Sequence, residues 1–381
     1  GVFGADFGAS SAVIVNAESQ ESYGTYFRLV ERTFQEFDQK HLRMLFEQTL
    51  TNPDFKYNFK EYNKDVTSLP YSEEGNRIYY PHISQQNFKK IPGCPIGYWV
   101  SEAWLKVFSG ETLKDKTISD GQTKTGDNNK YLRFLWEVSS QSIGKEAKWV
   151  KHPKGGGFRK WYGNLDTVID WSIEAREHYR KDKVARILPQ YLWWRKGVCW
   201  NLICSSKQSF RVYNDDEIFN LAAPTLFFQD ESIIPYCLGL FNTPITEHII
   251  RLKNPTLNCN IGDIQALPFI ESNKERVLSL VSQNISISKS DWDAHETSWD
   301  FEENELVRLS KEQGEGPHHL ADLMEAYKEH WTEQFLQLHT NEEELNRQFI
   351  GIYGLEDELT PDVPLSEVTI LQQGEVKVTN E

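Results

Sequence analysis

No apolar run in this 381-residue chain approaches the length of a membrane span, and no signal peptide opens it. Cysteine is scarce. Cys94, Cys199, Cys204, Cys237 and Cys259 form no CxxC pair. An odd, scattered set fits reduced thiols, so a cytoplasmic protein without a disulfide framework is expected. His318 and His319 have no Cys or carboxylate neighbours at metal-site spacing, so no metal site is expected. Internal repeats and low-complexity tracts are absent too. The chain opens on Gly1 rather than Met, which points to a piece of a longer protein.

Aromatic residues make up 13% of the chain, with 12 Trp, which argues for a folded protein with broad contact surfaces. The length allows two or three domains. The net charge of −15 is unevenly spread. Residues 145–197 carry 13 Lys/Arg against 6 Asp/Glu, a net of +7. Residues 291–381 carry 5 Lys/Arg against 23 Asp/Glu, a net of −18. A polyanion docks where the local potential is favourable, so overall acidity does not exclude nucleic acid. The acidic segment itself should not touch DNA, and its removal is expected to strengthen non-specific binding, provided the remainder still folds.

The basic region contains the organising stretch, KTGDNNKYLRFLWEV (124–138) followed by KWVKHPKGGGFRKWYGN (148–164). Cations, amides and aromatics alternate there on two glycine-containing loops. Lys and Arg neutralise phosphate, while Asn, Gln and Arg can bond two base atoms at once. Lys124, Lys154, Lys160 and Arg133 are therefore the phosphate candidates. Asn128, Asn129, Arg159 and Gln122 are the base-edge candidates. Trp161 and Tyr162 fit sugar or base packing, or equally a buried strand. The bland alternative is two ordinary hairpin loops with a solvated basic rim.

Elsewhere the pattern predicts two strands within residues 1–30 and a helix over Thr33–Leu50. Residues 51–76 read as irregular, Ile78–Pro81 as extended, Phe88–Pro95 as a rigid connector and Trp99–Phe108 as a helix. Tyr131–Val138 reads as a buried strand. A helix capped by Asn164 or Asp166 is expected to run to about Arg186. Trp193-Trp194-Arg195 reads as core plus a surface cation. Strands follow at Val198–Cys204, Phe210–Tyr213 and Thr225–Phe228. Helices follow at Ile233–Asn242 and Ile245–Leu252, and Ile264–Ile270 closes the region. From Lys274 to Tyr353 the pattern is helical, with breaks at Ser288–Asp291 and Gln313–Pro317. The tail after Leu359 reads as extended.

Catalytic motifs are weak. Adenine methylation on a flipped base needs an Asn/Asp-Pro-Pro-aromatic loop. Asn52-Pro53-Asp54-Phe55 and Asn254-Pro255-Thr256-Leu257 are near-matches and read as plain turns. Gly4–Gly8 lacks the acidic residue of a cofactor strand. The segment around Gly144-Lys145 lacks the first glycine of a phosphate loop. Pro361-Asp362 with Glu375-Val376-Lys377 has the order of a metal nuclease but reads as a solvated charge pattern. No catalytic residue is assigned.

Six motifs resemble one family in the right order. They are IPGCPIGYWVSEAW (91–104), KTGDNNKYLRFLWEV (124–138), KGGGFRKWYGN (154–164), GVCW (197–200), NPTLNCNIGDIQALPFI (254–270) and DELTPDVPLSEVTIL (357–371). All are similar to the C-terminal half of the BREX phage-defence methyltransferases, the PglX or BrxX family. The resemblance implies a methyltransferase domain, a target-recognition domain and a helical region. It also implies methylation of adenine with S-adenosylmethionine within a multiprotein complex. The family's catalytic loop has no counterpart here, so the chain reads as a recognition fragment without its own cofactor.

The expected architecture is α+β: a mixed target-recognition domain with an acidic, mainly helical C-terminal region. Expected divisions are 1–30 (distal strands of the methyltransferase domain), 31–107 (a helical connector), 108–288 (target recognition) and 289–381 (acidic helices and tail). Expected partners are double-stranded DNA, other BREX proteins and a phage DNA mimic, with no membrane. The alternatives are the recognition region of a restriction–modification enzyme and a pure protein-interaction module.

Overall fold

Helices and strands both contribute to the computed structural model, a mixed α+β fold. It describes residues 22–29, 38–59, 69–204, 207–254, 256–312, 314 and 318–371. The chain divides after Phe108 into two units.

The first unit contains strand β1 (Tyr23–Phe27), helix α1 (Gln39–Thr51), strands β2 (Lys56–Tyr57), β3 (Asn76–Arg77) and β4 (Tyr79–Ser84), and helix α2 (Glu102–Val107). β1 pairs antiparallel with β4, and β2 with β3, inside the stretch expected to be irregular. Asp38 starts α1 by accepting from the Lys40 amide at 3.3 Å. His41, Leu45 and Thr49 recur every four residues and form its buried face. Leu45 joins Phe55, Tyr57, Phe59 and Ile78 in one core. The expected helix from Thr33 is thus seen from Gln39, and residues 33–37 lie outside the described residues. So does the first expected strand of residues 1–30.

The second unit contains β5 (Thr117–Ile118), α3 (Asn128–Tyr131), β6 (Leu132–Phe134), β7 (Trp149–Lys151), β8 (Thr167–Asp170), α4 (Ile173–Lys181), β9 (Gly197–Trp200), β10 (Phe210–Tyr213) and β11 (Thr225–Phe228). Helices follow: α5 (Ile234–Phe241), α6 (Pro244–Lys253), α7 (Ile261–Gln265), α8 (Lys274–Asp293), α9 (Glu305–Glu312) and α10 (Leu320–Tyr353). Two antiparallel sheets form, ordered β10-β9-β11-β5 and β6-β8-β7. β9 is central and buried along its whole length, which explains its apolar GVCW sequence. A Cβ at Gly197 would stand 2.5 Å from the Leu226 carbonyl oxygen, so only glycine fits there. Tyr131, Val150, Ile169, Trp171, Tyr213 and Phe227 join the two sheets in a shared core. Trp193 and Trp194 pack against it.

Two expectations fail in this region. Tyr131–Val138 is not one buried strand. Asp127 caps the short α3, β6 lasts three residues, and Leu135–Glu137 forms a tight turn. Phe134 and Trp136 are left exposed. The helix expected from Asn164 or Asp166 is displaced by β8, so α4 starts at Ser172, whose Oγ accepts from the Ala175 amide. It stops at Lys181 because the Asp182 carboxylate takes the Val184 and Ala185 amides, each at 2.8 Å.

Helix α5 is buried on all sides. Gly239 lets it approach α8, where a Cβ would stand 2.9 Å from Val281 Cγ2. Val277, Leu280, Val281, Asn284, Ile287, Ser288 and Asp291 form one buried face of α8. That helix crosses both the expected break at Ser288–Asp291 and the expected division at 288. Most of the second expected break, at residues 313 and 315–317, lies outside the described residues. Helix α10 ends on Gly354 at φ +64°, a left-handed position that glycine adopts without strain.

Candidate nucleic-acid interface

The segment 217–221 bonds backbone from both organising loops. The Ile218 amide donates to the Lys151 carbonyl at 3.0 Å, and the Asn220 amide to the Pro153 carbonyl at 3.0 Å. One residue later the Leu221 amide donates to the Thr123 carbonyl at 3.2 Å. Lys124 and Lys154 therefore follow residues tied to neighbouring positions of a single segment. Both lysines are exposed. Lys124, Gly126, Asn128, Leu202, Asn220 and Ala222 line a groove of about 280 Å³.

Local bonds hold this groove. Lys124 exchanges backbone bonds with Arg186 at 2.9 and 2.8 Å. Thr125 Oγ1 donates to Asn128 Oδ1 at 2.7 Å, orienting the exposed amide. Asn129 is exposed, and Gln122 is half-buried. Arg133 Nη1 donates to the carbonyls of Asn129 and Leu132 at 2.8 and 2.6 Å, and its guanidinium lies 5.9 Å from the Trp149 ring centre. Beneath the groove, His152 is fully buried between Ile218 and Asn220. Its Nδ1–H donates to the Ile218 carbonyl, which leaves Nε2 to accept from Asn220 Nδ2 at 3.1 Å. Burial pulls the imidazole down to about 4, so it is neutral near pH 7. The Asn220 side chain is fixed by this bond and by accepting from the Ala222 amide at 2.9 Å.

Four expected contact residues are not on this surface. Arg159, Lys160, Trp161 and Tyr162 are all buried. Arg159 donates to Asp291 Oδ2 at 2.8 Å, to the Ser288 carbonyl at 2.8 Å and to the Tyr162 carbonyl at 2.7 Å. Lys160 Nζ is paired with Glu342, which also accepts from Trp161 Nε1 at 2.7 Å. Tyr162 has Lys289 over its ring, and burial raises its hydroxyl pKa. The physical reason is charge compensation. α8 and α10 bring Asp291 and Glu342 against the cationic 159–162 strip, which closes over them. The acidic helices are thus part of the fold. Deleting residues 291–381 would unpair buried Arg159 and Lys160, so the condition on the expected gain in DNA binding, that the remainder still folds, becomes the deciding one.

Sequence reasoning missed Asn201, Leu202, Asn220 and Ala222, because only tertiary pairing brings them beside the loops. The near-miss catalytic motifs are turns. Asn52 Oδ1 accepts from the Asp54 amide at 3.3 Å. Asn254 accepts from Thr256 and donates to Asp263 Oδ2 at 3.0 Å, tying the α6–α7 connection. Gly4–Gly8 and Glu375–Lys377 lie outside the described residues.

No family model matches the chain. It is 30% identical over 385 residues to the adenine-specific methyltransferase PglX of Lacticaseibacillus casei (strain Zhang), covering 95% of this chain and 29% of that protein. It is 32% identical over 234 residues to the adenine-specific methyltransferase BrxX of Escherichia coli O9:H4 (strain HS), covering 60% of this chain and 19% of that protein. A solved structure of the Type IIL restriction-modification enzyme MmeI in complex with DNA aligns with TM-score 0.41 and 11% identity, over 87% of this chain and 47% of that one. By sequence, then, the chain is a relative of adenine-specific methyltransferases. More particularly, it is homologous to part of the PglX and BrxX proteins, as its motifs indicate. It spans less than a third of the length of these curated relatives.

Proposed function

We propose that this chain is the DNA target-recognition part of an adenine-specific methyltransferase of the BREX type. The observation that supports this most is the groove where exposed Lys124 and Asn128 meet Asn220 and Ala222, with Lys154 on the adjoining loop. Lys124 and Lys154 would hold phosphates, joined by Arg133 through any part of its guanidinium left to solvent. Asn128, Asn129 and Gln122 would read base edges, since an amide can donate and accept to adenine together. Burial removes Arg159, Lys160, Trp161 and Tyr162 from the reading set, and they position the strip instead.

We propose S-adenosylmethionine as the cofactor of a full-length protein rather than of this chain alone. The side chains of Asn52 and Asn254 are engaged in turns, and the sequence has no Asn-Pro-Pro-aromatic loop. Methyl transfer with that cofactor is therefore proposed for a full-length protein. Other BREX proteins are proposed to dock on the acidic helices, where DNA would be repelled. A phage DNA mimic would compete for the groove.

The test is binding of labelled duplex DNA by the chain, challenged with an acidic protein. Salt-sensitive duplex binding that is lost in a Lys124→Ala/Lys154→Ala variant supports recognition. Binding of acidic protein without duplex binding refutes it in favour of an interaction module.

A further inference from the structure

The Gly155-Gly156-Gly157 loop is held by its Gly156 and Gly157 carbonyls, while its amides have no acceptor among the described residues. Asn201 Nδ2 donates to the Gly156 carbonyl at 2.8 Å and the Gly157 carbonyl at 3.4 Å. Asn164 Nδ2 donates to the Gly157 carbonyl at 3.0 Å. Among the described residues, no acceptor meets the amides of Lys154, Gly155, Gly156 or Gly157. Gly156 and Gly157 are exposed. Gly155 and Gly156 sit at φ +90° and +145°, and a Cβ at Gly156 would stand 2.6 Å from Asn164. Consecutive backbone amides without acceptors of their own are the groups from which an anion site can be built.

A second observation also points to an anion. Asn201 is itself held by Arg211, whose Nη2 donates to Asn201 Oδ1 at 2.8 Å. Arg211 is 1% exposed. Its other partners are the Arg159 carbonyl at 3.1 Å and the Cys199 thiol, and it makes no ion pair among the described residues. Burial raises that thiol to about 11, so it is neutral near pH 7. Glu217 lies in the neighbourhood without forming an ion pair, and burial raises its carboxyl to about 8. A buried guanidinium bonded to neutral acceptors, with no ion-paired carboxylate among the described residues, leaves positive potential in this neighbourhood. Asn201 passes that orientation to the loop as a neutral spacer. Lys154 adds an exposed ammonium at the rim.

We infer that the Lys154–Gly157 loop is a preorganised oxyanion site for a phosphodiester, with Asn201 and Arg211 as positioning residues. The ligand chemistry is a phosphoryl oxyanion. Its source as the backbone of duplex DNA rests on the recognition reading above. The site would fix the register of the duplex while the Lys124–Asn128 groove reads it, because backbone contacts position and base contacts specify.

The experiment uses the whole chain with isotope-labelled glycine, followed by amide resonance shifts. Two probes are titrated: a generic DNA duplex and excess inorganic phosphate. Both are expected to shift Gly155, Gly156 and Gly157 selectively. Asn201→Ala should remove these shifts and weaken duplex binding about tenfold, the scale of one charge-assisted hydrogen-bond set. Lys154→Gln, at an exposed site that should not disturb folding, should weaken binding and lower the salt slope by about one. Duplex bound with these three amides unmoved overturns the inference and leaves the recognition reading intact. Shifts with phosphate and no duplex binding sink the recognition reading and keep the oxyanion site. If neither probe moves them in the folded, unsubstituted chain, the loop is only a turn and the inference fails.

Discussion

Replacing Arg159 with Ala should damage the fold rather than the choice of DNA sequence. The guanidinium makes four bonds to buried acceptors: Tyr162 O at 2.7 Å, Thr369 O at 3.2 Å, Ser288 O at 2.8 Å and Asp291 Oδ2 at 2.8 Å. Without it, the Asp291 carboxylate keeps the Leu371 amide at 3.2 Å as its donor and stays buried. Removing one partner of a buried ion pair costs about 3–5 kcal/mol, because the remaining charge is stranded. With a urea slope of about 3 kcal/mol per molar, the midpoint of the 109–381 unit should fall by about 1 M or more. Asp291→Ala alone should be similarly harmful. The two changes together should cost less than their sum by about 1–3 kcal/mol, the signature of direct coupling. Urea unfolding of the four proteins, followed by tryptophan fluorescence, measures this. An Arg159→Ala protein with an unshifted midpoint and altered base preference would refute the structural assignment and return Arg159 to the reading surface.

Other outcomes follow from the same structure. Lys124→Ala should weaken binding to all duplexes alike and lower the salt slope by about one, read by anisotropy at several ionic strengths. Asn128→Ala should cost about 1–3 kcal/mol on the preferred site and relax one base position, read by selection from a randomised duplex pool. His152 has a folded-state value near 4 against 6.5 unfolded, so the unfolded chain binds the extra proton first. The His152 contribution is therefore complete above pH 6.5 and falls by about 3 kcal/mol as pH drops towards 4, read as the pH-dependent difference in stability between the chain and His152→Gln. Gly197→Ala should destabilise the central strand, because its Cβ would meet the Leu226 carbonyl at 2.5 Å, and thermal melting would show it.

The central strands and the α5–α6 pair were legible because their apolar blocks are continuous and bounded by turns. GVCW is buried on both faces, and no other element type suits so short an apolar run. α8 was misread at Ser288–Asp291, where polar residues suggested a break. They are buried because they bond the 159–162 strip: Ser288 Oγ donates to the Lys160 and Tyr162 carbonyls, and Asp291 accepts from Arg159. The same long-range pairing explains why part of the expected site was misplaced. Arg159 finds its carboxylate 132 residues away and Lys160 finds its own 182 residues away. A local window shows a cation and cannot show its partner. Among the described residues, no carboxylate closes over Lys124 or Lys154 in that way, and both stay exposed.

Amide hydrogen exchange with and without saturating duplex DNA tests the central claim most directly. The predicted result is new protection at residues 122–130, 154–157, 201–202 and 220–222, with α8–α10 unchanged. Protection on the acidic helices instead, with none in the groove segments, would contradict the account.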